Sequence, residues 1–120
     1  MTVVLPDHDD AAHPEDPARI VSVQPNLPFD WHQGDMIVLS LDLDRPFGVY
    51  ELREVDNRMR NWRVFTGSTR AEVEMQQVDD NTLTKLQKIL TRLHEEATRH
   101  CEEAEQSRKL LDRIIDGWDL

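Results

Sequence analysis

The segment from Asp35 to Leu43, DMIVLSLDL, alternates between apolar and mixed positions with a period of two. One face holds Ile37, Leu39, Leu41 and Leu43, and the other holds Met36, Val38, Ser40 and Asp42. This is the period of a β-strand. The turn-forming runs HQGD and DRPFG bound the segment on either side, so the pattern predicts one strand with a single buried face.

Four shorter runs have a similar pattern and are separated by turn formers: RIVSVQ, VYELREV, NWRVFT and RAEVEMQQV. Together with DMIVLSLDL they predict five strands in an antiparallel meander over residues 18–79. A small sheet with few large apolar residues closes most economically into an SH3-like or OB-like barrel, which leaves little unpaired edge. The expected fold class is therefore α+β, with a small β domain followed by a helical segment.

Residues 80–120 predict one long helix, because they contain no proline and no glycine before Gly117. A heptad frame places eleven residues at alternating a and d positions, and nine of them are apolar or small: Leu83, Leu86, Leu90, Leu93, Ala97, His100, Ala104, Ser107, Leu111, Ile114 and Trp118. Such a helix is about 55 Å long at about 1.5 Å per residue. No second helix is predicted, so the seam indicates an intermolecular coiled coil, most simply a homodimer.

The first 17 residues carry five carboxylates, three prolines and no basic side chain, which predicts a disordered acidic tail. The alternative is that TVVL near the N-terminus adds an edge strand to the sheet. The whole chain has a formal charge of −10, which argues against general attraction to nucleic acid or to an anionic membrane. One cysteine, no signal-peptide pattern and no long apolar run predict a soluble, cytoplasmic protein.

No catalytic motif is evident, and no cofactor or metal is expected. His94, Glu96, His100 and Glu103 lie within three helical turns, but the usual two-histidine metal spacing is absent, so a polar position that sets helix register is the better interpretation. Cys101 is flanked by carboxylates, which raise the pKa of a thiol and lower its reactivity.

The most distinctive local feature is the basic stretch from Asn57 to Arg70, which contains four arginines and no acid. Its candidate binding residues are Arg58, Arg60, Trp62 and Arg63. The alternative is a hairpin in which Trp62 faces the core and the arginines pair with carboxylates on adjacent strands. A second candidate surface is the loop PNLPFDWHQGD, where Phe29 and Trp31 either dock a partner or plug one end of the barrel.

These features predict a non-enzymatic adaptor or regulator that binds an unidentified protein through its β domain and self-associates through its helix. Two alternatives remain. One is an oligomer that binds single-stranded nucleic acid through the basic stretch. The other is an acidic inhibitor that imitates nucleic acid, although the helix mixes basic side chains among its acids.

Overall fold

A computed structural model of the chain describes residues 13–118. The elements, in chain order, are β1 (Ile20–Asn26), β2 (Ile37–Leu43), α1 (Val49–Arg58), β3 (Trp62–Val64), β4 (Arg70–Met75) and α2 (Thr82–Asp116). The expected α+β class and the long C-terminal helix are confirmed. Within residues 13–118, neither helix combines the length and the apolar character needed to cross a bilayer.

The strands form one open antiparallel sheet in the order β1-β2-β4-β3. The predicted five-stranded meander is wrong in two respects: the sheet has four strands, and it does not close into a barrel. After β2 the chain leaves the sheet through α1 and returns as β3 on the far side of β4. Strands β1 and β3 are therefore the edges of the sheet that the described residues form.

The segment predicted as the third strand, VYELREV, lies in α1 instead. Gly48 is the N-cap residue of this helix, and its backbone N–H donates to the Glu51 carboxylate at 2.9 Å. Four residues apart, Glu54 and Arg58 form an ion pair along the helix at 3.3 Å. Both interactions are specific to a helix and stabilise its two ends.

The hydrophobic core lies between the sheet and the helices. All four residues predicted for the inner face of β2 are buried, and Ala71 and Val73 of β4 lie beside them, at 1% exposure or less. Three leucines from the first half of α2 complete the core: Leu86, Leu90 and Leu93. Their burial means that α2 is an integral part of the fold, so the β strands do not form a separate domain core.

The two halves of α2 have different surroundings. Its first half packs against the core and against α1, which is the second helix that the sequence did not predict. Beyond Cys101 no residue of the helix is buried. Residues 102–118, called the arm below, extend past the body and contribute to a longest dimension of 70 Å against 24 and 21 Å.

The chain from His13 to Pro17 has no regular secondary structure but contacts the body. The guanidinium of Arg45 donates to the backbone oxygen of Asp16 at 2.8 Å, and the His94 ring lies 3.0 Å from the backbone oxygen of Glu15. The rest of the segment predicted as a disordered tail, including TVVL, lies outside the described residues.

Candidate functional site

The crossing of α1 and α2 buries charged side chains that the hydrophobic pattern did not indicate. Glu51 has no exposed surface. The guanidinium of Arg45 donates to both of its carboxylate oxygens, at 2.7 and 3.0 Å, and the Gly48 N–H provides a third hydrogen bond. A buried carboxylate with this many donors is compensated, so Glu51 is a structural anchor that joins α1 to the loop before it.

Two stacked histidines extend this cluster toward the N-terminus. The rings of His13 and His94 are 4.8 Å apart and nearly parallel. Nε2 of His13 lies 2.7 Å from the Thr98 hydroxyl. Among residues 13–118 the buried Nδ1 atoms of both rings have no hydrogen-bond partner, and Nδ1 of His94 lies 3.6 Å from the Glu51 carboxylate. Burial lowers the pKa of His13, and the adjacent His94 ring lowers it further. The stack attaches the N-terminal segment to α2.

A second ionic group lies one turn further along α1. The Glu54 carboxylate is 3.0 Å from Nε2 of His100 and 3.3 Å from Nε of Arg58. Glu96 approaches the same Arg58 and also pairs with Arg99. The network holds α1 against α2.

The same network contains the candidate metal ligands of the described chain. Glu54, Glu96 and His100 offer ligand atoms within 4.8 Å of one another. Carboxylate and imidazole ligands suit a zinc-like ion. However, the two carboxylates are already neutralised by Arg58 and Arg99, so the group is complete as an ion-pair network between helices.

A groove of about 500 Å³ opens between the C-terminal end of α1 and the first half of α2. This α1–α2 groove has an apolar floor of Met59, Ile89 and Leu93, and its rim carries charged side chains: Glu54, Arg58, Lys85, Lys88, Arg92 and Glu96. A second hollow, of about 390 Å³, continues along α2 as far as Ser107 and shares Glu54 and Arg58 with the first. The first hollow is apolar with a charged rim and the second is more polar, and together they follow the length of α2 as a docked helix would.

The arm carries the largest exposed apolar surface of α2. Five of its side chains are between 42% and 57% exposed: Leu110, Leu111, Ile114, Ile115 and Trp118. Their spacing places them on one face of the helix. A contiguous apolar stripe on a projecting helix is typical of a surface that binds another chain.

The predicted heptad residues divide between the body and the arm. Leu86, Leu90, Leu93 and Ala97 are buried within the chain's own fold, and Leu83 is 53% exposed. The seam therefore does not run as one unpartnered stripe: His100 and Ala104 are half-buried, and Ser107, Leu111, Ile114 and Trp118 are exposed. A coiled coil along the whole helix would require the core to open.

The basic stretch is not one surface. Trp62 is 7% exposed and belongs to the core, as the hairpin alternative expected. Arg58 pairs with Glu54 and Glu96. Arg60 and Arg63 are exposed, and within residues 13–118 neither has a carboxylate in ion-pair range. The structure thus leaves two free arginines beside a buried tryptophan.

The aromatic residues of the β1–β2 loop also differ from each other. Trp31 is half-buried, packs against the core and donates its indole N–H to the Asp35 backbone oxygen at 3.3 Å. Phe29 is fully exposed, and Leu27 and Met36 are each nearly half exposed near it in the chain. Trp31 is structural, whereas Phe29 is available for contact.

Cys101 lies at the end of the buried part of α2 and is 7% exposed. Burial raises the pKa of its thiol, and the charges of Glu105 and Glu102 raise it further. The predicted low reactivity is supported, with burial as the first cause.

The sequence does not predict the α1–α2 groove, because it predicts a strand for VYELREV, the segment that forms most of α1. The G-x-x-E capping pattern at Gly48 and Glu51, followed by the Glu54 to Arg58 spacing, is the signal that would have indicated a helix. Once α1 is a helix, Met59 and Ile89 can share a groove.

Comparisons of the chain with protein-family models, curated proteins and solved structures find no match.

Proposed function

We propose that the chain is a non-enzymatic adaptor that forms a homodimer through its arm and binds a further protein through its β body. The observation that supports this proposal is the apolar stripe of the arm, from Leu110 to Trp118, which has no contact with the chain's own core. A side chain of this kind gains about 1 kcal/mol when its exposed half is buried. Five of them supply a substantial driving force.

A second copy of the chain is the most economical occupant of this stripe. Homodimers with twofold symmetry are the commonest oligomers, and the same surface is used by both copies. The arm is about 21 Å long between Glu102 and Asp116 at about 1.5 Å per residue. An arm of this length reaches beyond its own body and can contact a second copy.

Binding of another protein is assigned to the end of the sheet near Phe29. Phe29 is fully exposed on the loop after β1, which is an edge strand of the sheet within the described residues. Val21 and Val23 of that strand are also exposed. An exposed aromatic residue next to a free strand edge suits an extended peptide that pairs with β1 and contacts Phe29.

The nucleic-acid alternative has less support. Arg60 and Arg63 are free to contact phosphate, and Phe65 is 48% exposed near them. However, the tryptophan expected to stack on bases is buried, and the charge of the whole chain repels phosphate. The free, buried Cys101 fits a reducing compartment such as the cytoplasm.

The test compares two variants that each lower the net charge of the arm by one. Leu111→Glu places the change in the apolar stripe, and Lys109→Gln places it about 160° away on the helix. Light scattering during size-exclusion chromatography should show that Leu111→Glu is monomeric while Lys109→Gln matches the wild-type dimer. Equal masses for the wild type and Leu111→Glu would contradict the proposal.

A further inference from the structure

The α1–α2 groove and the arm have matching features. In the groove, Ile89 and Leu93 are four residues apart and form an apolar floor. In the arm, Leu110 and Ile114 are also four residues apart and lie on the exposed stripe. Residues at this spacing are neighbours on one helix face, so the two pairs can meet when two helices pack side by side.

We infer that the groove of each copy receives the arm of a second copy, so that the two α2 helices run antiparallel about a twofold axis between Cys101 and Glu102. This inference rests on the dimer proposed above and specifies where the arm binds. The α1–α2 groove is then occupied by residues of the arm of a second copy.

The register follows from the residue positions. A twofold axis between Cys101 and Glu102 places Ile89 opposite Ile114 of the second copy, and Leu93 opposite Leu110 of the second copy. The same axis places His100 opposite Glu103 of the second copy. One register therefore aligns two apolar pairs and one histidine–carboxylate pair. Each pair occurs twice by symmetry.

The length of the groove agrees with this register. The two hollows together run along α2 from Lys85 to Ser107, which is about 33 Å at about 1.5 Å per residue. The twofold axis maps this range onto residues 96–118 of the second copy. The groove thus extends as far as the free end of the helix it would receive.

The charges favour the antiparallel direction. A parallel pair would bring Lys85, Lys88 and Arg92 of one copy against the same bases of the other. In the antiparallel pair these bases lie opposite residues 111–118 of the second copy, where two acids outnumber one base. Opposite net charges on the two surfaces are the arrangement expected of a complementary interface.

The body does not obstruct this pairing. At about 100° per residue, Ile89, Leu110 and Ile114 lie within about 60° of one another around α2. Leu86, Leu90 and Ala97 point toward the chain's own core on a neighbouring side of the helix. A second helix can therefore lie along the groove side while the first half of α2 keeps its own contacts.

Disulfide crosslinking tests this register. In a Cys101→Ala background, Ile89→Cys combined with Ile114→Cys should give a covalent dimer under mild oxidation, seen on a non-reducing gel. The matched control combines Ile89→Cys with Gln106→Cys, which this register places opposite Ala97, about 12 Å along the helix from Ile89, and it should remain uncrosslinked. Circular dichroism of the reduced variants verifies that both are folded.

The single variants distinguish failure of groove binding from failure of dimer formation. If Ile114→Cys alone crosslinks as efficiently as the pair, the arms bind each other; the dimer then stands and the groove inference is overturned. If the wild-type chain is a monomer in the same buffer, both fail. As a second measurement, Lys88→Glu with Arg92→Glu should weaken the dimer at least tenfold, and an unchanged dissociation constant would contradict groove binding.

Discussion

Arg45 and Glu51 form a two-pronged ion pair at the start of α1, with Nη1 to Oε1 at 2.7 Å and Nη2 to Oε2 at 3.0 Å. The carboxylate is completely buried, and the guanidinium also donates to the backbone of Asp16. The pair thus fixes the N-terminal segment, the loop after β2 and α1 relative to one another.

Removal of this carboxylate should destabilise the fold strongly. Glu51→Ala leaves the Arg45 guanidinium partly buried without its partner, and a loss of this kind costs about 3 kcal/mol. The control is Glu74→Ala, because Glu74 is an exposed carboxylate on the sheet and should change the free energy of unfolding by less than about 0.5 kcal/mol. Urea unfolding of both variants measures the difference, and equal effects would refute the anchoring role of Glu51.

The stacked His13 and His94 rings predict a pH-dependent contribution to stability. The pKa of His13 is lowered in the fold, so as the pH falls below about 6.5 the unfolded chain takes up a proton that the folded chain resists. The contribution is therefore complete above about pH 6.5 and declines as the pH falls toward the lowered folded pKa.

His13→Phe keeps an aromatic ring at this position but cannot be protonated. The stability of this variant should depend less on pH between 7 and 5 than that of the wild type. His32→Gln serves as the control, since His32 is exposed, and it should retain the wild-type dependence. Urea unfolding at several pH values measures this dependence. If the free energy of unfolding of His13→Phe changes with pH as steeply as that of the wild type, the stack does not cause the pH dependence.

Two of the three aromatic residues predicted as partner contacts, Trp62 and Phe29, should behave in opposite ways. Trp62→Ala removes a large side chain from the core and should cost about 3 to 5 kcal/mol of unfolding free energy. Phe29→Ala should change it by less than about 0.5 kcal/mol, because Phe29 contributes no buried surface. Thermal or urea unfolding separates the two. A large loss in Phe29→Ala would mean that the loop packs on the body.

Cys101 should react slowly with a thiol reagent in the folded chain. Its side chain is 7% exposed and the pKa of its thiol is raised, so little thiolate is available at pH 8. In a Cys101→Ala background, Gln106→Cys provides an exposed thiol on the same helix for comparison. The expected result is at least a tenfold faster reaction for Gln106→Cys, and equal rates would show that α2 opens readily around Cys101.

The elements that the sequence predicted well are those with one unambiguous period. Ile37 to Leu43 alternate over a complete strand, and all four predicted inner residues are buried. The last helix was expected over residues 80–118 and extends from Thr82 to Asp116. In both cases a long segment repeats one pattern, so tertiary contacts have little opportunity to override it.

The α1 helix could not be recognised from its apolar pattern. VYELREV places Val49, Leu52 and Val55 at helical spacing, but it also alternates as a strand would. Its most buried residue is Glu51, a charged side chain whose burial depends on Arg45 and therefore on the tertiary fold. Because the sequence predicts a strand in place of α1, it also predicts a five-stranded barrel. For the same reason it does not predict the groove beside α2.

The heptad seam indicated correctly that α2 is amphipathic along its length, but not what covers each half. Leu86 and Leu93 contact the chain's own core, whereas Leu111 and Ile114 are exposed. The two halves have the same residue types, and only the position of the body along the helix distinguishes them. The arm is therefore defined by the structure, because the heptad pattern does not show where the body ends along α2.

Sedimentation equilibrium of the chain over a wide concentration range tests the proposed dimer. We expect a reversible monomer–dimer equilibrium in which the mass rises to twice the 14.0 kDa of the chain. The driving force is burial of the apolar stripe of the arm, including Leu111 and Ile114. A mass that stays at 14.0 kDa up to about 100 μM, a concentration at which an interface worth more than about 5.5 kcal/mol would associate, would contradict it.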